Sequence, residues 1–238
     1  MFQFHAKAWA FAALPILLAG SPYAQQPQNC TDDAMIVFDG SGSMSEMGFN
    51  QLDEPRIFEA RRALRQVMPR VEKFRQIGLI TYGPSRGDIC EGVELRFTPR
   101  KDAAWPVITT IDGLQPEGET PLTEAVRQAA EVLTARAANG VVVLVTDGKE
   151  TCDGAPCQLA AHLAADWPGL RVHVIGFKVR GDRFDWDAQG VNDYTDAQSP
   201  ARCLAEATGG EYVSAETVEQ LIAALQVTLG CPLFGALR

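Results

Sequence analysis

The chain predicts an α/β fold: a doubly wound, mostly parallel six-stranded sheet with helices on both faces. Three observations carry the prediction. Apolar runs at 34–38, 77–82 and 141–145 suit strands buried on both faces. The stretches between strands carry apolar residues at helical spacing, so strands and helices alternate along the chain. Residues 93–97 (Val93-Glu94-Leu95-Arg96-Phe97) instead alternate strictly, which gives one wet face and marks an antiparallel edge strand.

Each element has its own signal. Ala34-Met35-Ile36-Val37-Phe38 is the first strand, and Asp39-Gly40-Ser41-Gly42-Ser43 ends it abruptly. A polar stretch runs to Asp53, and Pro55 suits a helix start. Ile57, Ala60, Leu64, Val67, Met68 and Val71 form the apolar face of that helix, with Arg61, Arg62 and Arg65 expected on its solvated side. The second strand is 77–82, followed by a turn over 83–88 and the edge strand. Residues 101–112 read as a helix despite Pro106. A loop from Gly113 to Pro121 leads into a helix with Leu122, Ala125, Val126, Ala129 and Leu133 on one face. Residues 141–145 form the most β-prone run and are expected at the sheet centre. Thr146-Asp147-Gly148 ends that strand. A helix at 155–166, a strand at 172–177, a long acidic loop at 178–199, a short helix ending at Gly209-Gly210, a strand at 211–214 and a final helix complete the order. Val218, Leu221, Ile222, Leu225 and Leu229 line the face of that last helix.

Composition limits the function. The formal charge of −9 argues against phosphate-mediated nucleic-acid binding and against anionic membranes. The first 24 residues read as a secretory signal: a weakly basic start with His5 and Lys7, an apolar run at 8–19, and cleavage after Ala24. A membrane anchor is the alternative, but the run is short for a span and holds Pro15. A polar lead-in at 25–33 precedes the domain at 34–230, and residues 231–238 form a tail. The expected location is therefore secreted or periplasmic. All six cysteines follow the signal, and export makes disulfides the natural reading. No Cys-x-x-Cys pair supports zinc. Cys152 and Cys157 are close enough to pair locally.

The chemistry-bearing stretch is the loop after the first strand. Asp39, Ser41 and Ser43 are hard oxygen donors at the C-terminal end of a parallel strand, where open sheets bind ligands. Hard oxygens suit Mg²⁺, Mn²⁺ or Ca²⁺. Catalytic alternatives are weak. His162 and His173 lack an obvious Ser or Cys partner, and neither the nucleophile elbow nor the phosphate loop is present. The nearest enzyme rival, a phosphatase of the haloacid dehalogenase type, needs a second Asp where this chain has Ser41. The acidic stretch Asp185-x-Asp187-x-Gln189-Gly190-x-x-Asp193-x-x-Asp196 reads first as a solvated loop. A second, calcium site at Asp185, Asp187, Asp193 and Asp196 is the alternative. Arg86-Gly87-Asp88 and Arg180-Gly181-Asp182 are three-letter matches to an integrin-recognition tripeptide and are given no role.

Asp39-x-Ser41-x-Ser43, Thr120 in Gly118-Glu119-Thr120-Pro121-Leu122, and Thr146-Asp147-Gly148, in that order, resemble a von Willebrand factor type A domain. The likeness covers about residues 30–230. Thr81-Tyr82-Gly83, Asp147-Gly148-Lys149-Glu150-Thr151-Cys152 and Thr208-Gly209-Gly210-Glu211-Tyr212 extend it to exported bacterial members. The resemblance implies strand order 3-2-1-4-5-6 and a metal-ion-dependent adhesion site above the first and fourth strands. It implies Ser41, Ser43 and Thr120 as contacts to a divalent cation (Mg²⁺, or Mn²⁺ or Ca²⁺), with Asp39 and Asp147 binding directly or through water. An exposed Asp or Glu of a protein partner fills the open position. The expectation is a binding module, not an enzyme. A phosphatase-type hydrolase and a metal-independent scaffold subunit are the alternatives. The implied topology puts Cys30 and Cys231 together at the lower edge of the sheet. With Cys152–Cys157 as the local pair, Cys90–Cys203 is left by elimination.

Overall fold

In a computed structural model, the described residues are 30–47, 54–137, 139–178 and 201–230. The signal segment at 1–24, most of the lead-in, the 231–238 tail and the acidic loop with Asp185, Asp187, Asp193 and Asp196 lie outside them.

Six strands form one sheet: β1 (Ala34–Asp39), β2 (Ile77–Tyr82), β3 (Val93–Arg100), β4 (Gly140–Thr146), β5 (Leu170–Phe177) and β6 (Tyr212–Ala215). Their order is β3-β2-β1-β4-β5-β6, as the sequence reading expects. All neighbouring pairs are parallel except β2–β3. Every residue of β1, β2 and β4 is buried, whereas β3 is largely exposed or half-buried. β3 runs past its alternating segment and takes in Pro99, which an edge strand tolerates because no ladder bond is required there.

The helices are α1 (Arg56–Val71), α2 (Ala104–Gly113), α3 (Leu122–Thr134), α4 (Pro156–Asp166), α5 (Arg202–Thr208) and α6 (Val218–Leu229). They divide between the faces. Ala34, Ile36 and Phe38 pack with α1, α2 and α6, while Met35 and Val37 pack with α3, α4 and α5. The period-2 geometry of β1 thus feeds two cores at once. No helix among the described residues is long and apolar enough to cross a membrane.

Two expectations need correction. Arg61 is not on a solvated face. It is 9% exposed, and its guanidinium donates to the carbonyls of Ile111 (3.0 Å) and Leu114 (2.5 Å), so it satisfies the C-terminal end of α2.

The disulfides also differ from the predicted pairs. The bridges are Cys90–Cys152 and Cys157–Cys203, with Cα separations of 5.5 and 5.2 Å, so Cys152–Cys157 and Cys90–Cys203 are both overturned. Cys157 lies in the first turn of α4, which packs on α5, the carrier of Cys203. Cys152 precedes a turn with Asp153 at φ 57° and belongs to the loop after β4, which faces the β2–β3 loop. Chain proximity placed the two thiols together; the start of α4 separates them. Cys30 is disulfide-bonded, and its expected partner Cys231 lies outside the described residues.

Candidate metal centre

β1 and β4 are adjacent, but the chain leaves β1 toward β2 on one side and reaches β4 on the other. This is a topological switch point, and the loops at the C-terminal ends of its strands splay apart to leave a crevice. Asp39 ends β1, Thr146 ends β4, and Asp147 follows it. A 3-10 turn, Gly42–Ser45, lifts Ser43 toward Asp147.

The side chains form a continuous hydrogen-bonded chain. Ser41 Oγ donates to Asp39 Oδ1 at 2.6 Å and lies 3.0 Å from Ser43 Oγ. Ser43 Oγ donates to Asp147 Oδ1 at 2.6 Å. Asp39 Oδ1 also accepts the Ser41 N–H at 2.8 Å, and Asp39 Oδ2 accepts the Thr146 hydroxyl at 2.7 Å. Four of the five predicted residues, Asp39, Ser41, Ser43 and Asp147, are therefore in one cluster. Thr120 faces it: a methyl group built on Gly148 would sit 3.7 Å from both Ser43 Oγ and Thr120 Oγ1. Glycine at 148 leaves open space between those hydroxyls.

Backbone contacts set the loops. Gly42 N–H donates to Gly118 O (3.0 Å), Glu117 N–H to Gly40 O (2.9 Å) and Gly40 N–H to Tyr82 O (2.8 Å). Gly83 (φ +116°) and Gly118 (φ +79°) sit so close to neighbouring backbone that a Cβ would collide at 2.5 and 2.2 Å. The Thr120 loop is tied to the Asp147 loop by Thr120 N–H to Thr151 Oγ1 (2.8 Å) and Thr151 N–H to Thr120 O (3.2 Å). The Glu150 carboxylate accepts the N–H groups of Thr123 (2.8 Å) at the start of α3 and of Cys152 (2.9 Å).

The electrostatics favour a cation. Asp39 is fully buried and Asp147 is 7% exposed. Burial, and then the neighbouring Asp39 charge, push the Asp147 carboxyl up to about 6, against the pull of Ser43 and Arg56. Tyr82 lies buried within reach of Asp39 and Thr146 without good hydrogen-bond geometry to either; burial and then Asp39 suppress its ionisation. Two buried carboxylates with hydroxyl donors form a hard-oxygen set that fits Mg²⁺ or a similar ion. Among the described residues, no three His, Cys, Asp or Glu side chains gather as a metal cluster, so hydroxyls would have to complete this one.

One residue that the sequence reading passed over enters the cluster. Arg56, 8% exposed in the first turn of α1, donates from Nη1 to Asp147 Oδ2 at 2.8 Å, and its Nη2 lies 3.3 Å from Glu46. Its signal was legible: a cation in a helix's first turn opposes the macrodipole and needs an acidic partner. His173 is buried in β5 away from the cluster, and its Nδ1 accepts the Glu211 N–H at 3.0 Å.

Residues 34–150 match the family model described as von Willebrand factor type A domain. The chain is 27% identical to the uncharacterized protein YwmD of Bacillus subtilis over 218 residues, covering 87% of this chain and 88% of that one. Among solved structures, an aerotolerance-related membrane protein from Bacteroides fragilis aligns with a TM-score of 0.60 at 20% identity, covering 83% of this chain and 98% of that one. Proximal thread matrix protein 1 from the mussel byssus, with a zinc-occupied MIDAS motif, aligns at 0.56 and 17% identity, over 84% of this chain and 46% of that one. At these identities the structural likenesses speak for the fold alone.

Proposed function

This chain belongs to the von Willebrand factor type A family, and from that premise we propose that it is an exported binding module whose divalent-metal site captures an acidic group of a protein partner. The observation that carries the reading is the hydrogen-bonded run from Asp39 through Ser41 and Ser43 to Asp147, with Thr120 facing Ser43 across Gly148. Ser41, Ser43 and Thr120 would hold the ion, with Asp39 and Asp147 binding directly or through water. Mg²⁺ is the first choice for such oxygens, with Mn²⁺ or Ca²⁺ as alternatives. When bound, the cation supplies a Lewis-acidic position open to solvent, which a partner's Asp or Glu can complete. The chain's own residues orient the site: Thr146 and the Ser41 N–H fix Asp39, and Arg56 fixes Asp147. A zinc-occupied MIDAS motif in the mussel thread protein supports metal capability for this fold.

Several features favour binding over turnover. Both Asp39 oxygens are engaged in hydrogen bonds, which leaves that carboxylate a poor nucleophile. Ser41 stands where a haloacid dehalogenase-type phosphatase would carry its second acid. The two disulfides between described residues, together with the bonded Cys30, suit an oxidising compartment and support the secreted or periplasmic reading.

The test is a pull-down from the exported proteome with Mg²⁺, with EDTA, and with Asp39→Ala. A partner retained in Mg²⁺ and lost in both other arms is the expected result. Capture that persists in EDTA overturns the reading, and phosphatase turnover would replace it with hydrolysis.

A further inference from the structure

We propose that Arg56 is a built-in cation that holds Asp147, weakens the site's grip on a divalent ion, and makes ion and acidic partner bind cooperatively. This rests on the metal-site reading above and goes beyond it, because a guanidinium is no part of the ligand set.

The geometry is specific. The Asp147 side chain is fully buried, and its two oxygens are divided between two donors. Oδ1 takes the Ser43 hydroxyl at 2.6 Å; Oδ2 takes Arg56 Nη1 at 2.8 Å. The Arg56 side chain is 10% exposed, so water screens the pair little. Backbone bonds hold its position: Arg56 N–H donates to Glu46 O at 3.0 Å, and Met47 bridges to Pro55, so Glu46–Met47 lie against the start of α1. Among the described residues, Arg56 Nε has no hydrogen-bond partner. A buried guanidinium with an unmet donor is costly unless an anion repays it. Its other carboxylate neighbour, Glu46, is 64% exposed and therefore largely solvated.

Charge balance gives the consequence. Asp39 and Asp147 with Arg56 leave the buried cluster one net negative charge. A divalent cation turns that into one net positive charge, which a single carboxylate from outside neutralises. Without Arg56, the two aspartates alone would neutralise the cation, and the incoming carboxylate would gain less. Arg56 thus moves part of the demand for negative charge from the protein to its partner. By linkage, the partner must then tighten the metal by the same factor as the metal tightens the partner.

Titrating Mn²⁺ into the full chain by calorimetry tests this, with the wild type, Arg56→Gln, Arg56→Met and Asp39→Ala. Removing one charge from a water-poor site is expected to tighten Mn²⁺ binding roughly five- to tenfold in both Arg56 variants. Equal or weaker binding in folded Arg56 variants overturns the proposal while leaving the metal site in place. Undiminished binding in Asp39→Ala instead overturns the metal-site reading itself, and the inference with it. A measurement on the wild type covers the case in which the Arg56 variants fail to fold. Acetate, compared with chloride at equal ionic strength, is expected to tighten Mn²⁺ binding. No tightening by acetate refutes the coupling.

Discussion

The Asp39 carboxylate accepts three hydrogen bonds inside the protein and faces a second buried acid, so its negative charge is fixed in place and only partly relieved. Replacing it with Asn removes the like-charge repulsion, so the Asp147 carboxyl should titrate below about 6. Carboxyl-resolved NMR titration of Asp39→Asn in the absence of metal checks this; an unchanged Asp147 titration would refute it. Arg61 offers a second test. Arg61→Met keeps much of the stem but takes the guanidinium donor from both carbonyls; Ile111 O keeps the Leu114 N–H at 3.3 Å, and the Leu114 carbonyl loses its donor. Urea unfolding should show a loss of about 2–4 kcal/mol. At His173, burial first, then Arg75 and Arg171, lower the imidazole to about 4, and Nδ1 must stay unprotonated to accept the Glu211 N–H. The unfolded chain binds this proton from about pH 6.5 downward and the folded chain does not. Stability from this residue is therefore complete above 6.5 and falls as the pH drops toward about 4, by roughly 2–4 kcal/mol. Asp147, raised to about 6, acts with the opposite sign over part of that window, so the readout is a comparison. His173→Asn should lose less stability than the wild type between pH 6.5 and 4.

At the scale of elements, the site is made by loops rather than by the strands that carry them. The loops after β1, after β2, before α3 and after β4 meet through glycine contacts and backbone hydrogen bonds, and Cys90–Cys152 ties the second to the last. That bridge spans a sequence separation of 62, which gives about 4 kcal/mol from chain entropy. A Cys90→Ser/Cys152→Ser double variant should lose stability of that order in guanidinium melts, by way of the Asp147 loop. Proteolytic mapping without reduction should release one peptide pair containing Cys90 with Cys152 and another with Cys157 and Cys203. A Cys152–Cys157 fragment would contradict the fold's placement of α4.

For the whole molecule, a ligand that binds only the folded state adds stability by mass action. Mg²⁺ at about a hundred times its dissociation constant should add about 2.7 kcal/mol, which raises the midpoint of thermal unfolding by several degrees for a domain of this size. EDTA should abolish the increase, and Asp39→Ala should show none. An identical melting curve with and without Mg²⁺ would remove the metal from the account. The two cores on either side of the sheet make a single cooperative transition the natural expectation, because β1 contributes to both.

Strand positions, helix faces and the edge character of β3 were legible in the chain, because they depend on local periodicity and on whether a strand is wet on one face. Asp39, Ser41, Ser43 and Asp147 were legible as candidates too, since hydroxyl and acid residues interrupt apolar strands abruptly where a parallel sheet exposes its loops; Thr120, in the loop before α3, was reached only through the family resemblance. Three matters were decided only in three dimensions. Arg61 looked solvated on a helical wheel, yet α2 lies across it and presents two carbonyls. Cys152 and Cys157 are near in sequence, but a turn and a helix start send them to different partners. Arg56 carried a local hint, a cation at the wrong end of a helix, but its partner Asp147 lies 91 residues away. Periodicity reports which way a side chain faces from its own element. Only packing determines which group of another element it meets.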